Sequence, residues 1–285
     1  MTGLLPHAAR VLGITLAAAV LSGALMHYAP ASTVDSRELN TRLSEQTLAR
    51  LRTEKQAQAN LPRALLQYFS GFVQGDLGYS VSRDASITQL IGEALPQTAR
   101  LAGLGLAAAW FAALLLSAPV RGNTLARLWR GTSTALSASL LCFPAALLAY
   151  FTLAGGGSAV LVLALALAPK LAVYIHGIWG SVLDAPHVDA ARCWGISEVR
   201  ILWRHVVPSA LPQLLALAAT SVALALGAAI PIETICDIPG LGKLAWQAAL
   251  SRDLPLLVNL TALAALITTI ATAASESFVR AEPGA

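Results

Sequence analysis

Long stretches without a charged residue alternate along this chain with shorter polar ones. The uncharged runs cover 11–34, 101–120, 131–169, 205–232 and 254–275. A bilayer-spanning helix needs about 20 such residues. The run 131–169, at about 1.5 Å per residue, would be nearly twice the ~30 Å hydrocarbon thickness, so it reads as two spans folded at Gly155-Gly156-Gly157-Ser158. The pattern predicts six transmembrane helices, at 9–29, 97–119, 131–154, 159–178, 212–231 and 255–276, and so an all-α integral membrane protein.

Composition agrees with the pattern. Of 285 residues, 56% are hydrophobic and 12% charged, against about 25% charged in a soluble domain, which argues against a water-soluble enzyme. The net charge of +4 carries no lysine-rich or aromatic-interleaved stripe outside the membrane-flanking loops, which excludes nucleic acid as a partner. The basic residues report orientation instead. With the amino terminus cytoplasmic, Arg10, Arg121, Arg127, Arg130, Arg192, Arg200, Arg204 and Arg280 lie inside and only Lys243 and Arg252 lie on short outside loops. The segment from about 30 to 96 is too long to vote, and both termini are expected in the cytoplasm. Ala29-Pro30-Ala31 resembles a signal-peptidase site, but the apolar run before it exceeds the usual 7–15 residues, so the first span is read as uncleaved.

The chain divides into a tail with the first span (1–30), an outside segment with interfacial helices (31–96) and a core of five spans (97–285). In the outside segment Ser44 is a candidate cap, and Leu61, Leu65, Tyr68, Phe69 and Phe72 recur at helical spacing. Gly75-Asp76-Leu77-Gly78 reads as a turn, and Ser86 as the cap of a short helix leading to Pro96. On the opposite face, the loop 184–206 is the most informative stretch. Pro186 suits a first helical turn, Ala190 and Ala191 favour helix and leave a shallow surface, and Gly195 suits a left-handed terminus. Ser197 caps the next helix, and Pro208 and Pro212 are expected to restart the chain into the fifth span.

Candidate chemistry is sparse. Cys142, Cys193 and Cys236 fall in a span and on opposite faces, so they cannot form a disulfide framework. His7, His27, His176, His187 and His205 are scattered, and no resident metal or cofactor is expected. Ser158 and His176 are about 27 Å apart along one helix, far beyond the ~3 Å a nucleophile and base need, which argues against an intramembrane serine protease. Arg100, near the outer end of its span, is read as snorkelling. Lys170 stands near mid-membrane beside Pro169, where a charge lines a water-filled path or meets a partner. A secondary transporter or channel fits these features too, and dependence on an ATPase separates the two readings.

Three separated motifs carry a family resemblance. Asp189-Ala190-Ala191, followed by Gly195, His205, Pro208 and Pro212, resembles the "EAA" loop of permease subunits of binding-protein-dependent ABC importers. Gly75-Asp76-Leu77-Gly78 with Ser80, and Glu233-Thr234-Ile235 leading to Pro239-Gly240-Leu241-Gly242, resemble the dipeptide/oligopeptide/nickel branch, as does Arg252-Asp253 before the last span. The resemblance implies a type I importer permease of a bacterial inner membrane, moving peptides or similar small solutes. It implies a second permease, a paralogue rather than an identical chain, two ATPase subunits and an extracytoplasmic binding protein. Asp189, Ala190, Ala191, Arg192, Gly195 and His205 would form the ATPase-coupling loop, with the two alanines permitting close docking. Gly75, Asp76, Gly78, Glu233, Pro239, Gly240 and Gly242 would be periplasmic family motifs. The chain holds no phosphate loop, since Gly242-Lys243 is preceded at the required position by Asp237 and followed by Leu244. ATP hydrolysis is therefore expected on partner subunits, and this chain is expected to be no enzyme.

Overall fold

In a computed structural model of the chain, the described residues are 77–80, 82–118 and 124–281, with the helical positions Gly13, Ile14, Ala17, Ala18, Val20 and Leu21. The rest of the expected first span, most of the outside segment, and Gly75 and Asp76 lie outside them. A two-residue antiparallel hairpin, β1 (Tyr79–Ser80) with β2 (Ala85–Ser86), leads into α1 (Ile87–Leu116). There follow α2 (Thr124–Leu141), α3 (Ala145–Ala154), α4 (Ala159–Leu183), α5 (Pro186–Cys193), α6 (Glu198–Ile201), α7 (Val207–Ile235), α8 (Leu241–Leu250) and α9 (Leu254–Ala281). Among the described residues four helices are long and apolar enough to cross a membrane, or five if the bent pair formed by α2 and α3 counts as one span.

The core is built on α4, which packs against α1, α2, α3 and α7. Leu163, Leu167, Leu171 and Ile175 recur every fourth position on α4 and are fully or almost fully buried. Opposite them, Leu101, Gly105, Ala109 and Ala113 form a buried stripe on α1. A Cβ placed on Gly105 would lie 2.6 Å from a Leu163 methyl, so the small residues are what let the two backbones approach. Lipid tails are as apolar as leucine, so close van der Waals packing of this kind, rather than exclusion of water, drives helices together in a membrane. A polar link joins α1 to α7: the Trp110 indole N–H donates to Ser221 Oγ at 3.1 Å, and that hydroxyl donates to the Ala218 carbonyl.

Three expectations need correction, all at prolines. The short helix capped by Ser86 and the second span are one helix, because Pro96 leaves only the Gly92 carbonyl without its usual donor. The span expected at 131–154 is broken: 131–141 and 145–154 meet at 97°. Pro144 lacks an N–H and disfavours helical backbone at Phe143, which ends α2 there. Pro208 and Pro212 do not restart the chain. Residues 198–235 form one continuous helix with a π-helical turn at Leu202–Val206, whose wider ring, closed by Val207 N–H to the Leu202 carbonyl, makes room for the Pro208 ring.

Candidate functional site

The loop 184–206 is a built element. α5 starts on Pro186 and ends with the Trp194 cap, after which Gly195 adopts φ +73°. The Gly195 N–H donates to the Arg192 carbonyl at 2.9 Å and the Ile196 N–H to the Ala191 carbonyl at 3.3 Å, a Schellman closure that satisfies two otherwise open carbonyls. Arg192 fastens three elements together. Its guanidinium donates to Asp189 on its own helix (2.8 Å), to Glu198 at the start of α6 (3.2 Å) and to the Leu183 carbonyl at the end of α4 (3.4 Å).

The two alanines part company. Ala190 is exposed, whereas Ala191 is 5% exposed and belongs to the core with Val188, Ile201 and Val206. The expectation that both form a docking surface is corrected, since the helix period turns Ala191 inward. What faces water is Ala190 with Trp194, Val199 and Trp203. Beside them Asp184, Asp189, Glu198, Arg200 and Arg204 are also exposed, so the free surface mixes apolar and charged groups. His205 is half-buried, and its carbonyl accepts from the Ser209 hydroxyl at 2.7 Å.

At the other end of α7 the sequence motifs converge on a buried carboxylate. Glu233 is fully buried. Its side chain accepts hydrogen bonds from Thr98 Oγ1 (2.7 Å), the Gly242 N–H (2.7 Å) and the Lys243 N–H (3.1 Å). The last two are open donors at the start of α8, where the helix dipole favours a negative group. Thr98 in turn accepts from the Leu241 N–H at 2.7 Å, so one carboxylate and one hydroxyl fasten α1, α7 and α8. The glycines follow from this geometry. A Cβ on Gly240 would overlap the Glu233 carboxylate, and one on Gly242 would lie 2.7 Å from the Ile230 backbone. Pro239 sits at the centre of a tight turn closed by the Gly240 N–H on the Ile238 carbonyl.

A second carboxylate completes the outer face. Asp253, 5% exposed, caps α9 through the Leu256 N–H. Its other oxygen accepts from the Ser80 hydroxyl (2.6 Å), the Ser82 hydroxyl (2.7 Å) and the Ser82 N–H (3.0 Å). Burial pushes its pKa up, but these hydrogen bonds outweigh burial and hold it below the usual carboxylate range. Asn259 donates to the Leu77 and Pro255 carbonyls, and Gly78, at φ +81°, turns the chain into β1. Beneath this shell Ile87, Ala94, Leu244, Ala248, Leu256 and Leu260 form a separate apolar cluster. Sequence reasoning missed Thr98, Ser82 and Asn259, which lie far along the chain from their partners. It also missed α8.

Lys170 is exposed on the otherwise most deeply buried helix, next to buried Pro169. Among the described residues no carboxylate pairs with it.

Residues 105–281 match the model of the family described as binding-protein-dependent transport system inner membrane component. The oligopeptide transport system permease protein OppB of Escherichia coli K12 is 31% identical over 230 residues, covering 70% of this chain and 72% of its own. A Brucella abortus protein named for a peptide transport system permease is 30% identical over 237 residues, covering 74% and 76%. Among solved structures, the inward facing MetNI methionine ABC transporter contains a chain with a TM-score of 0.55 at 20% identity, covering 68% of this chain and 95% of that one. That likeness is one of fold.

Two outcomes test the outer shell. Glu233→Gln puts an amide N–H₂ where Oε1 accepts from the Thr98 hydroxyl and weakens the bonds from the two backbone N–H groups by removing the charge they meet, and is expected to cost about 1–3 kcal/mol, read as a lower unfolding temperature of the detergent-solubilised protein. An unchanged temperature contradicts the role given to the carboxylate. Because the folded-state pKa of Asp253 is depressed, its stabilisation is complete above the ordinary value of 3.8 and is lost as pH falls through the lower folded value. Asp253→Asn is therefore expected to lower stability at neutral pH and to flatten the acid limb of a stability–pH profile, which a parallel shift at all pH would refute.

Proposed function

The chain belongs to the binding-protein-dependent transport system inner membrane component family and is a permease subunit of an ABC importer; on that footing we propose that its cargo is peptides or similar small solutes crossing a bacterial inner membrane. The names of the relatives support the cargo class. In this reading a paralogous permease completes the path, two ATPase subunits drive it from the cytoplasm, and an extracytoplasmic binding protein delivers the solute.

The observation that carries the mechanism is mechanical continuity. ATP chemistry on another chain can reach the spans only through a contact that moves a rigid element. The loop supplies one: the α5 terminus is closed at Gly195, and Arg192 joins it to the end of α4 and the start of α6. From Glu198 the helix runs unbroken for 38 residues, about 57 Å, to the end that carries Glu233. Movement of the loop by the ATPases would therefore tilt α4 and α7 together and reach the outer shell without an intervening hinge. Ala190 and the exposed apolar residues beside it are the docking surface, and the mid-depth face of α4 bearing Lys170 lines the path.

Gly195→Val forces a β-branched residue into left-handed backbone, at about 1–2 kcal/mol, and is expected to abolish uptake while the protein still inserts. Ala190→Trp, which fills the exposed shallow position without touching the core, is expected to abolish copurification of the ATPase. Wild-type uptake by both variants at wild-type membrane abundance would sink the coupling assignment.

The orientation has its own check. The excess of basic residues predicts that Cys193, which is exposed, lies inside and that Cys236 lies outside. In sealed cells, an impermeant thiol reagent is expected to label a variant retaining only Cys236 and to spare one retaining only Cys193. The reverse pattern would invert the topology.

A further inference from the structure

We propose that Lys170 and Tyr174 form a carboxylate-binding subsite part-way along the translocation path. The inference rests on the reading of this α4 face as path-lining and adds the chemistry of the group that is recognised there. Lys170 is the twelfth of the 25 residues of α4, so it stands near the middle of the helix. Tyr174 follows one turn later on the same face, and at this spacing the two Cβ atoms are about 5–6 Å apart. Tyr174 is 59% exposed.

The surrounding face mixes exposed Val173 with small and polar residues. Gly177, Gly180 and Ser181 continue it towards the loop, and a Cβ on either glycine would meet nothing within 4 Å. These glycines therefore serve no close packing inside this chain, and they leave open space below the pair. An ammonium at mid-depth facing hydrocarbon is costly, and water or an anion removes that cost. Acidic residues in the described spans lie towards the helix ends: Glu93 near the start of α1, Glu233 at the end of α7 and Glu276 late in α9. Glu233 is already satisfied by three donors. An ammonium and a phenol one turn apart, both donors and both unclaimed among the described residues, fit the two oxygens of a carboxylate. In the proposed cargo class that group is the C-terminal carboxylate.

Two measurements on the assembled transporter test this, the first without regard to cargo. In a background with Cys142, Cys193 and Cys236 replaced by serine, Tyr174→Cys is expected to react at least about tenfold faster with an anionic methanethiosulfonate than with a cationic one, and adding Lys170→Met should erase the preference. No reaction with either reagent would place the face against lipid or a partner chain and overturn the proposal. So would a preference that Lys170→Met leaves intact.

The second measurement is uptake of tri-alanine against tri-alanine amide. The wild type should favour the free acid, Lys170→Met should lose that preference by about tenfold, Lys170→Arg should retain it and Tyr174→Phe should fall between. Equal loss of both substrates in Lys170→Met overturns the carboxylate assignment in favour of structural pairing. If the wild type imports neither, the peptide cargo reading fails, and the thiol-reactivity ratio alone decides the subsite.

Discussion

A backbone N–H or C=O left open in hydrocarbon costs several kcal/mol, and nearly every irregular feature of this fold is a way of meeting that demand. Three helix ends are closed by the same pair of hydrogen bonds, with the chain reversing at Gly156, Gly195 and Arg252 in left-handed backbone, and a fourth reverses at Asp237 with the longer bond, Ile238 N–H to the Glu233 carbonyl. Two of these are glycines, for which that conformation is nearly free of strain; at Asp237 and Arg252 the surrounding contacts hold a side-chain-bearing residue there. Asp237 is engaged by Lys243 at 2.5 Å, which lowers its pKa. Arg252 is followed directly by Asp253, whose buried hydrogen bonds fix the turn from α8 into α9.

The same demand accounts for a buried acid at the end of an apolar helix. A lone carboxylate taken out of water would be protonated or expelled. Glu233 is not alone, because the start of α8 presents N–H groups that no helical carbonyl can reach. The acid and the helix end each remove the other's desolvation penalty, and Thr98 extends the arrangement to a third helix. Neutralising one partner leaves the other exposed to the full penalty, so the unit is held together by what its loss would leave unsatisfied more than by net attraction.

How much of this could be read in advance follows from how local each cause is. The end of α3, the Ser158 cap and the helix–turn–helix of the loop depend on residues within one or two turns, and Gly155-Gly156-Gly157-Ser158, Pro186 and Gly195 declare them. The described part of the apolar pattern likewise marks where α1, α4, α7 and α9 run, though not the break at Pro144 or the short α8. What escaped was settled at a distance or by competition. Pro96, Pro144, Pro208 and Pro212 are the same residue with different outcomes: two turns of context decide whether the chain breaks, as at Pro144, or widens into a π-helical turn, as before Pro208. The motif Glu233…Pro239-Gly240-Leu241-Gly242 could be noticed in the sequence, but its meaning needed Thr98, 135 residues away. Ala191 shows the remaining limit, since identical neighbours at 190 and 191 differ only in which way the helix turns them.

One consequence joins the two faces of the molecule. α7 and its amino-terminal extension have the Arg192–Glu198 pair at one end and the Glu233 carboxylate at the other, with a continuous hydrogen-bonded helix between. The only departure from α geometry, the turn at Leu202–Val206, lies in the first third of this helix and preserves continuity through the longer hydrogen bond to the Leu202 carbonyl. A helix interrupted at Pro208, as sequence alone suggested, would absorb displacement at the break. The π turn removes the clash that would cause one while keeping the axis connected. Small residues on α1 bring α4 close, with Leu163 seated where a Cβ on position 105 would stand. Under the proposed coupling, movement imposed at the loop would be met at surfaces this chain leaves open, which include the exposed face of α4 around Lys170.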